Sequence, residues 1–200
     1  MLKTQRLTIR RFTPKDGRDL YAYLCDPNVV RYEPYDVWTL EECLKEAARR
    51  ANDEAFYAVC LSDDQRLIGN LYLQRQEFDT FELGFVFHPD YQGKGYAYES
   101  AQALMQYAFD ELMARRIIAL CNPQNEKSWR LMERLGLRRE GHLKQNIFFK
   151  RDEAGHPLWQ DTYEYAILAK EWSHRGLESK KSLQSWAAGA HFIRLFLKAT

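Results

Sequence analysis

The spacing of hydrophobic and polar residues along the chain predicts an alternation of strands and helices. Leu7 to Phe12 alternates apolar and basic residues, as a half-buried strand does. Asp16 to Leu24 has the period of a helix. Thr39 and Glu42 form a capping box, which begins a second helix that ends near Arg50. Three strands separated by short turns are predicted next, at Phe56 to Leu61, Leu67 to Leu73 and Thr80 to Phe87.

The second half of the chain alternates helices and strands. Ala97 to Met113 carries an apolar stripe of helical period, and Ile117 to Cys121 is a short apolar run typical of a parallel strand. The later elements are an amphipathic helix closed by Gly136 and two strands, at Asn125 to Leu135, Ile147 to Phe149 and Tyr163 to Leu168. This order predicts an α+β fold built on a mixed sheet.

The pattern indicates one domain, residues 1–175, followed by a basic C-terminal extension, residues 176–200. Apolar residues of the extension fall on one helical stripe, at Leu183, Trp186, Ala187, Ala190, Ile193 and Leu197. Three hypotheses for the extension remain open. It packs on its own domain or on a second subunit of a homodimer, it is disordered, or it binds a membrane surface.

Composition argues against several classes of protein. A net charge of +1 is unlike that of a dedicated nucleic-acid-binding domain, which is usually strongly basic. No apolar run approaches the roughly 20 residues that span a bilayer. The N-terminus lacks the apolar core of a signal peptide, so we expect a cytoplasmic protein without a membrane partner. The four cysteines form no Cys-x-x-Cys pair, so neither a zinc cluster nor a redox motif is predicted.

The segment Phe81 to Ser100 is the most informative, because it combines a buried strand, a glycine-rich loop and the start of a helix. Such a loop directs backbone N–H groups at an anion, and the helix dipole adds partial positive charge. It is not a dinucleotide fingerprint, because Tyr98 replaces the third glycine and five residues separate strand from loop. It is not a P-loop either, because no Gly-Lys-Ser/Thr ends it.

Gln92-Gly93-Lys94-Gly95-Tyr96-Ala97 fits the pattern Gln/Arg-x-x-Gly-x-Gly/Ala. Through it the chain resembles the GNAT superfamily of acyl-CoA-dependent N-acetyltransferases, and within it the RimJ/RimL-like branch of ribosomal-protein N-terminal acetyltransferases. The resemblance extends over an ordered set of motifs: Arg6-Leu7-x-Ile9-Arg10, Asp26-Pro27-x-Val29, Glu82-Leu-Gly-Phe85, His88 to Gly95, Asn125-x-x-Ser128, Leu131 to Gly136 and Glu140-Gly141. It implies the GNAT fold, a mixed and mostly antiparallel sheet flanked by helices, with splayed central strands.

The resemblance also implies acetyl-CoA as co-substrate and no metal. The loop N–H groups would bind the pyrophosphate, and Lys94 would add a cation. Backbone groups of the preceding strand would bind the pantetheine arm and the thioester carbonyl. The implied cofactor-binding residues are Phe85, Val86, Phe87, Gln92, Gly93, Lys94, Gly95, Tyr96, Ala97, Asn125 and Ser128. Competing interpretations are an ordinary turn for the two glycines and an ordinary helix N-cap for Asn125.

The implied reaction is direct attack of a primary amine on the thioester in a ternary complex. Glu82 matches the strand carboxylate of the family, which often acts as base through water. Met132 occupies the position of the usual tyrosine acid, and the resemblance to the RimJ/RimL-like branch implies that Ser128, one turn earlier, is the acid instead. For Glu82 and Ser128 the competing roles are structural hydrogen bonds. No cysteine lies in a recognisable activated setting, which disfavours a covalent enzyme intermediate.

The acceptor is predicted to be a peptide or protein N-terminal α-amine, or a small-molecule amine, because a weakly placed base suits an amine of lower pKa than lysine. The resemblance implies that an aromatic group lines the acceptor side, with core or loop packing as the alternative: Tyr32, Tyr35 and Trp38. Asp161 and Glu164 are reserve candidates for base or substrate anchor. The rival function is a non-catalytic acyl-CoA-binding module of the same fold, in which Met132 marks a lost acid.

Overall fold

A computed structural model describes residues 1–172, which form one eight-stranded mixed sheet with helices on both faces. The strands are β1 Leu2–Lys3, β2 Leu7–Arg11, β3 Phe56–Leu61, β4 Leu67–Arg75, β5 Thr80–Phe87, β6 Arg116–Cys121, β7 Arg138–Arg151 and β8 Pro157–Leu168. The helices are α1 Gly17–Leu24, α2 Leu40–Ala51, α3 Tyr96–Asp110 and α4 Glu126–Leu135. The strand order is β1-β2-β3-β4-β5-β6-β8-β7. The predicted α+β class is confirmed.

Helix ends follow the predicted capping residues. The Thr39 hydroxyl accepts from the Glu42 N–H at 3.3 Å, and the Glu42 carboxylate accepts from the Thr39 N–H at 2.7 Å. Gly136 ends α4 with φ +93°, a left-handed conformation that glycine adopts without a steric penalty. α3 ends at Asp110, earlier than predicted, and Met113 has φ +55°, which is incompatible with a continuing helix.

The central strands β5 and β6 separate after a short parallel ladder. The ladder runs from the pair Thr80–Arg116 to the pair Glu82–Ile118. β5 then continues to Phe87 in antiparallel pairing with β4, while β6 continues to Cys121 in antiparallel pairing with β8. A V-shaped opening therefore lies between the C-terminal ends of the two strands. The predicted splay and the mostly antiparallel sheet are confirmed.

Two hydrophobic clusters fix the orientation of the strands. The larger cluster packs α3 and α4 on one face of the sheet and includes Leu83, Leu104 and Met132. The smaller cluster packs α1 and α2 on the other face, where Tyr23 is fully buried and Val86 packs against the cluster. Each fully buried large apolar side chain contributes about 1.5–3 kcal/mol. Because side chains alternate along a strand, β5 presents alternate residues to each cluster.

The C-terminal strands are longer than predicted, so the sequence-based boundaries there were wrong. The expected strands at Ile147 to Phe149 and Tyr163 to Leu168 are parts of one long antiparallel hairpin, β7–β8. Residues 138–146 are mostly polar and exposed because β7 is an edge strand, and they therefore lack the alternation that marks a half-buried strand. The short edge strand β1 was not predicted either.

The predicted C-terminal extension, residues 176–200, lies outside the described residues. The hypotheses for its role are therefore not tested by the structure. Among the helices of residues 1–172, none combines the length and the apolar character needed to cross a membrane.

Candidate active site

The glycine-rich loop joins β5 to α3 through two residues of positive φ. Gly93 has φ +72° and Gly95 has φ +84°. A Cβ added at Gly93 would meet no described atom within 4 Å, so the backbone conformation, and not space, requires glycine there. The first N–H groups of α3 have no partner within the helix, and the dipole makes this end positive. The loop therefore has the geometry that binds a phosphate or pyrophosphate group.

Gln92 links the loop to the strand before it and to α4. Its Nε2 donates to the Phe87 carbonyl at 3.0 Å, and its Oε1 accepts from Lys127 Nζ at 3.1 Å. The side chain of Gln92 thus holds the loop in place. Lys94 is exposed, with its ammonium 5.6 Å from the centroid of the Tyr91 ring, so its charge is available to an anion at the loop.

The free edge of β5 lies next to this loop. In an antiparallel pair, alternate residues direct both backbone groups to the same neighbouring strand. The His88 N–H donates to the Ile68 carbonyl at 3.0 Å, so the backbone groups of Val86 also face β4. Phe85 consequently directs its N–H and C=O groups into the V-shaped opening, and Phe87 directs its N–H group there, while the Phe87 carbonyl already accepts from Gln92 Nε2. These two residues, rather than Val86, offer the backbone hydrogen bonds that an extended chain could use.

Ser128 lies in the first turn of α4, on the side that faces the sheet. Asn125 is the N-cap of this helix, and its Oδ1 accepts from the Ser128 N–H at 3.3 Å. Ser128 is only 9% exposed, and its hydroxyl is a hydrogen-bond partner of the Cys121 thiol at the end of β6. Met132, one turn later, is 1% exposed within the larger cluster. Ser128 is therefore the polar residue on the inner face of α4 nearest the opening.

Three of the four cysteine thiols are in poor settings for nucleophilic catalysis. Burial raises the pKa of the Cys121 thiol to about 11, against a smaller lowering effect of the Ser128 hydroxyl. Burial likewise raises the pKa of Cys43 and of Cys60 to about 11. These thiols are neutral at pH 7, and the thiolate is the reactive form.

Glu82 lies on the face of the sheet opposite Ser128. Its neighbours Phe81 and Leu83 pack in the larger cluster with α3 and α4, so strand alternation directs Glu82 to the other face. Burial raises the pKa of the Glu82 carboxyl above its ordinary value, and a hydrogen bond from Gln76 Nε2 at 3.2 Å partly opposes this rise. Glu82 is also the last residue of β5 that pairs with β6.

A cleft of about 460 Å³ lies at the C-terminal end of β6. Its walls come from the segment after α1, the β6–α4 connection and β8, and they include Tyr32, Gln124 and Asp161. The Tyr32 hydroxyl donates to the Gln124 carbonyl at 3.3 Å and so joins two of these walls. The structure thus brings two of the predicted acceptor-side residues, Tyr32 and Asp161, to one cleft.

The two reserve carboxylates are both engaged with cationic groups. Asp161 contacts three groups, the Gln145 N–H at 2.9 Å, Lys144 Nζ at 3.0 Å and His142 Nε2 at 2.8 Å. These contacts, the Gln145 hydrogen bond first, lower the pKa of Asp161 to about 2. Glu164 pairs with Arg116 at 3.3 Å. Such a fixed anion at Asp161 suits the binding of a cation better than the uptake of a proton.

Tyr35 and Trp38 are not among the residues that line this cleft. Their rings contact each other with centroids 4.8 Å apart, and both pack against the smaller cluster, as the core-packing alternative predicted. Between Tyr32 and Tyr35 lies Glu33, which the sequence reasoning missed. Burial raises the pKa of Glu33 to about 7, against smaller lowering effects of the Tyr35 hydroxyl and the Arg50 charge. In the sequence, the one sign that Glu33 is unusual is its position between the aromatic residues Tyr32 and Tyr35.

Within residues 1–172, no group of three or more His, Cys, Asp or Glu side chains is placed to hold a metal ion. The predicted donor-side residues converge instead on one region, formed by the end of β5, the glycine loop and the first turn of α4. Glu82 flanks this region on the other face of the sheet.

Comparison with known proteins identifies the family. Residues 6–138 match the model of the acetyltransferase (GNAT) domain. The chain is 41% identical over 174 residues to the uncharacterized N-acetyltransferase YnaD of Bacillus subtilis, which covers 86% of this chain and 99% of that protein. It is 28% identical over 149 residues to the spermidine N(1)-acetyltransferase of Escherichia coli, covering 69% of this chain and 77% of that protein.

A solved structure agrees with these sequence relationships. The GNAT-family acetyltransferase of Bacillus anthracis superposes with a TM-score of 0.77 at 38% identity, covering 84% of this chain and 98% of that one. The chain belongs to the GNAT family of acetyltransferases, with the GNAT fold.

Proposed function

We propose that the protein transfers the acetyl group of acetyl-CoA to a primary amine by direct attack in a ternary complex. The observation that carries the proposal is the position of the free β5 edge, at Phe85 and Phe87, beside the glycine loop at Gly93 and Gly95. The β5 edge suits an extended amide-bearing arm, and the glycine loop suits a pyrophosphate. Coenzyme A contains both groups in that order.

On the donor side, the chain contributes backbone groups and one exposed cation. The N–H groups of Gly93 to Ala97 would bind the pyrophosphate, with Lys94 adding positive charge. An N–H group of Phe85 or Phe87 would bind the thioester carbonyl and stabilise negative charge on its oxygen. Asn125 and Ser128 would contact the pantetheine arm from α4. When bound, acetyl-CoA supplies an acetyl group on a thioester.

For proton transfer we assign Glu82 as base and Ser128 as acid. A base must be ionised yet ready to accept a proton, and burial brings the pKa of Glu82 closer to neutral pH. Ser128 lies on the opposite face, next to the opening, where its hydroxyl can donate to a leaving thiolate. The raised pKa values of Cys43, Cys60 and Cys121 support transfer without an acyl-enzyme.

On the acceptor side, we assign the cleft of Tyr32 and Asp161. The Asp161 carboxylate offers a fixed negative charge to a cationic amine or to a second ammonium group of the acceptor. Tyr35 and Trp38, which we predicted to line this side, pack against the smaller cluster. We therefore assign them a role in supporting the segment after α1 and not in contacting the acceptor. The sequence relative that acetylates spermidine supports a small-molecule amine as one class of acceptor.

The pKa of the acceptor favours an α-amine over lysine. A peptide α-amine has a pKa of about 7.7–8.0, and lysine has one of about 10.4. At pH 7 roughly a tenth of an α-amine is neutral, compared with ~0.04% of a lysine. An α-amine acceptor agrees with assignment of the chain to the RimJ/RimL-like branch. Equal rates on a lysine-only peptide with a blocked N-terminus and on a lysine-free peptide with a free N-terminus would refute this preference.

The test is a thiol-release assay with acetyl-CoA and a panel of amines: peptide α-amines, lysine peptides, polyamines and aminoglycosides. We expect turnover with at least one class, and acetylation of its amine by mass spectrometry. Binding of CoA without turnover on any acceptor would favour the non-catalytic acyl-CoA-binding module. Absence of CoA binding would refute both functions.

A further inference from the structure

Arg6, in the turn between β1 and β2, contacts the glycine loop from the side of the N-terminal strands. Its Nη1 donates to the Lys94 carbonyl at 3.1 Å. Its guanidinium carbon lies 4.4 Å from the centroid of the Tyr96 ring. A Cβ added at Gly95 would come within 3.3 Å of Arg6 Nη2. Arg6 therefore touches the three loop positions that lead into α3.

Glu99, in the first turn of α3, holds the Arg6 side chain in this place. Glu99 Oε2 accepts from Arg6 Nε at 2.7 Å and pairs with Arg6 Nη2 at 2.7 Å. Glu99 Oε1 accepts from the Arg6 backbone N–H at 3.0 Å and from the Thr4 hydroxyl at 2.6 Å. Two guanidinium nitrogens therefore share Glu99 Oε2, and the backbone and Thr4 contacts fix Oε1, so the guanidinium is held in one orientation, which a single exposed ion pair would not do.

The direction of the Lys94 carbonyl determines the direction of the Gly95 N–H, because the peptide between these two residues is planar and trans. In a trans peptide the C=O of one residue and the N–H of the next point in opposite directions. When Arg6 holds the Lys94 carbonyl, the N–H of Gly95 therefore points away from Arg6. The glycine at position 95, with φ +84°, gives this peptide plane more rotational freedom than another residue would. A contact from outside the loop is then needed to keep the N–H in one orientation.

We propose that Arg6 is a positioning residue for the donor site, which orients the Gly95 N–H toward the coenzyme pyrophosphate by holding the Lys94 carbonyl. This inference rests on the proposed binding of acetyl-CoA and assigns a role to a residue of the N-terminal strands. It makes Arg6 specific for the phosphate end of the coenzyme, because its contacts are to the loop and to α3 and not to the β5 edge.

The experiment compares CoA with pantetheine, which keeps the arm and the thiol but lacks the phosphates. Binding of each ligand is measured by calorimetry for the wild type and for Arg6→Ala, Arg6→Lys and Glu99→Gln. Arg138→Ala is the matched control, because Arg138 is similarly exposed, 48% against 42% for the side chain of Arg6, and pairs with Glu171 far along the chain from the loop. Thermal unfolding of every variant is measured alongside.

We expect Arg6→Ala to bind CoA about tenfold more weakly, the equivalent of about 1.4 kcal/mol, and to bind pantetheine as the wild type does. Arg6→Lys keeps a positive charge that can pair with Glu99 but lacks the second nitrogen that donates to the Lys94 carbonyl, so it should show an intermediate loss. Equal losses for both ligands, or unchanged CoA affinity in Arg6→Ala, would overturn the inference. If Arg6→Ala does not fold, the same comparison with Arg6→Lys and Glu99→Gln decides. A wild-type protein that binds no CoA would instead refute the proposed function.

Discussion

Glu82 faces Ile118 in the last residue pair of the parallel β5–β6 ladder. Beyond this pair the two strands diverge, so the Glu82 carboxyl lies at the vertex of the opening. Ser128 lies on the other face of the sheet, in the first turn of α4. The proposed proton acceptor and proton donor therefore flank the opening from opposite sides. This relationship allows an amine and a leaving thiol to exchange protons with different residues.

We expect Glu82→Gln to lower kcat for amine acetylation by about 10²-fold or more, because general base catalysis contributes 10²–10⁴-fold in typical enzymes. The affinity for CoA should remain unchanged, since the Glu82 side chain points away from the donor helices. Steady-state kinetics with calorimetry of CoA binding checks both parts. A Glu82→Gln enzyme with wild-type kcat would show that Glu82 has a structural role only.

The hydrogen bond from Gln76 provides a second test of the role of Glu82. Burial raises the pKa of Glu82, and the Gln76 amide partly lowers it. Gln76→Ala should therefore raise this pKa further and move the acid limb of the kcat/KM profile to higher pH. Gln74→Ala serves as the control, because Gln74 lies opposite Glu82 in β4 but bonds to the Arg75 carbonyl. Identical shifts of the kcat/KM profile in Gln76→Ala and Gln74→Ala would contradict the assignment of Glu82 as the base.

Ser128→Ala should reduce kcat while leaving the protein folded, because the substitution removes only the hydroxyl from a buried position. The reduction should be largest when transfer to a good nucleophile makes thiol departure limiting. Asn125→Ala, which removes the N-cap of α4, is a useful comparison, since it should lower thermal stability by about 1 kcal/mol. A Ser128→Ala variant that loses stability but not kcat would indicate that the hydroxyl is structural.

Alanine at Gly93 should weaken CoA binding more than it weakens the fold. The residue has φ +72°, and alanine in that region costs about 1–2 kcal/mol. Gly155→Ala is a close control, because Gly155 has φ +86°, also has no described atom within 4 Å of an added Cβ, and lies in the β7–β8 turn. Both variants should lose similar stability by thermal unfolding. Only Gly93→Ala should lose CoA affinity; equal affinities would argue against the loop as a phosphate site.

The partly buried Glu33 predicts a pH-dependent stability. Its pKa is raised from about 4.5 to about 7 in the folded chain, so the folded state favours the protonated carboxyl. This contribution is fully present below pH 4.5 and is lost as the pH rises through about 7. Glu33→Gln should match the wild type near pH 4.5 and exceed it above pH 8 by up to about 3 kcal/mol.

Chemical denaturation at both pH values measures this difference. Glu41→Gln is the control, since the Glu41 side chain is 77% exposed and pairs with Lys45 on the surface. A Glu33→Gln variant with the same stability advantage at both pH values would show that the carboxyl is not desolvated.

Local patterns were sufficient for most of the fold. The Thr39–Glu42 capping box, the boundaries of β5 and the left-handed Gly136 were predicted because each depends on neighbours in sequence. The β7 strand was mostly missed because an exposed edge has no buried alternation to detect. The separation of β5 from β6 was expected only from the family resemblance, since strand pairing is a contact between distant segments.

In the candidate site too, features set by sequence neighbours were predicted and features set by distant contacts were not. The glycine loop was predicted from its own residues, and the structure agrees with its conformation. Glu33 and Arg6 were not assigned roles from the sequence, because their significance depends on burial and on contacts to residues far along the chain. Trp38 was grouped with the acceptor side from the family resemblance, and its side chain packs against the smaller cluster.

The central claim is that this chain binds acetyl-CoA and passes its acetyl group to an amine without a covalent enzyme intermediate. The most direct measurement is release of free CoA from acetyl-CoA as an amine from the acceptor panel is added, with the wild type, Glu82→Gln and Ser128→Ala side by side. We expect amine-dependent CoA release by the wild type, no acetylated protein by mass spectrometry during the reaction, and much slower release by both variants. CoA release that is independent of the amine, or equal turnover by all three proteins, would contradict it.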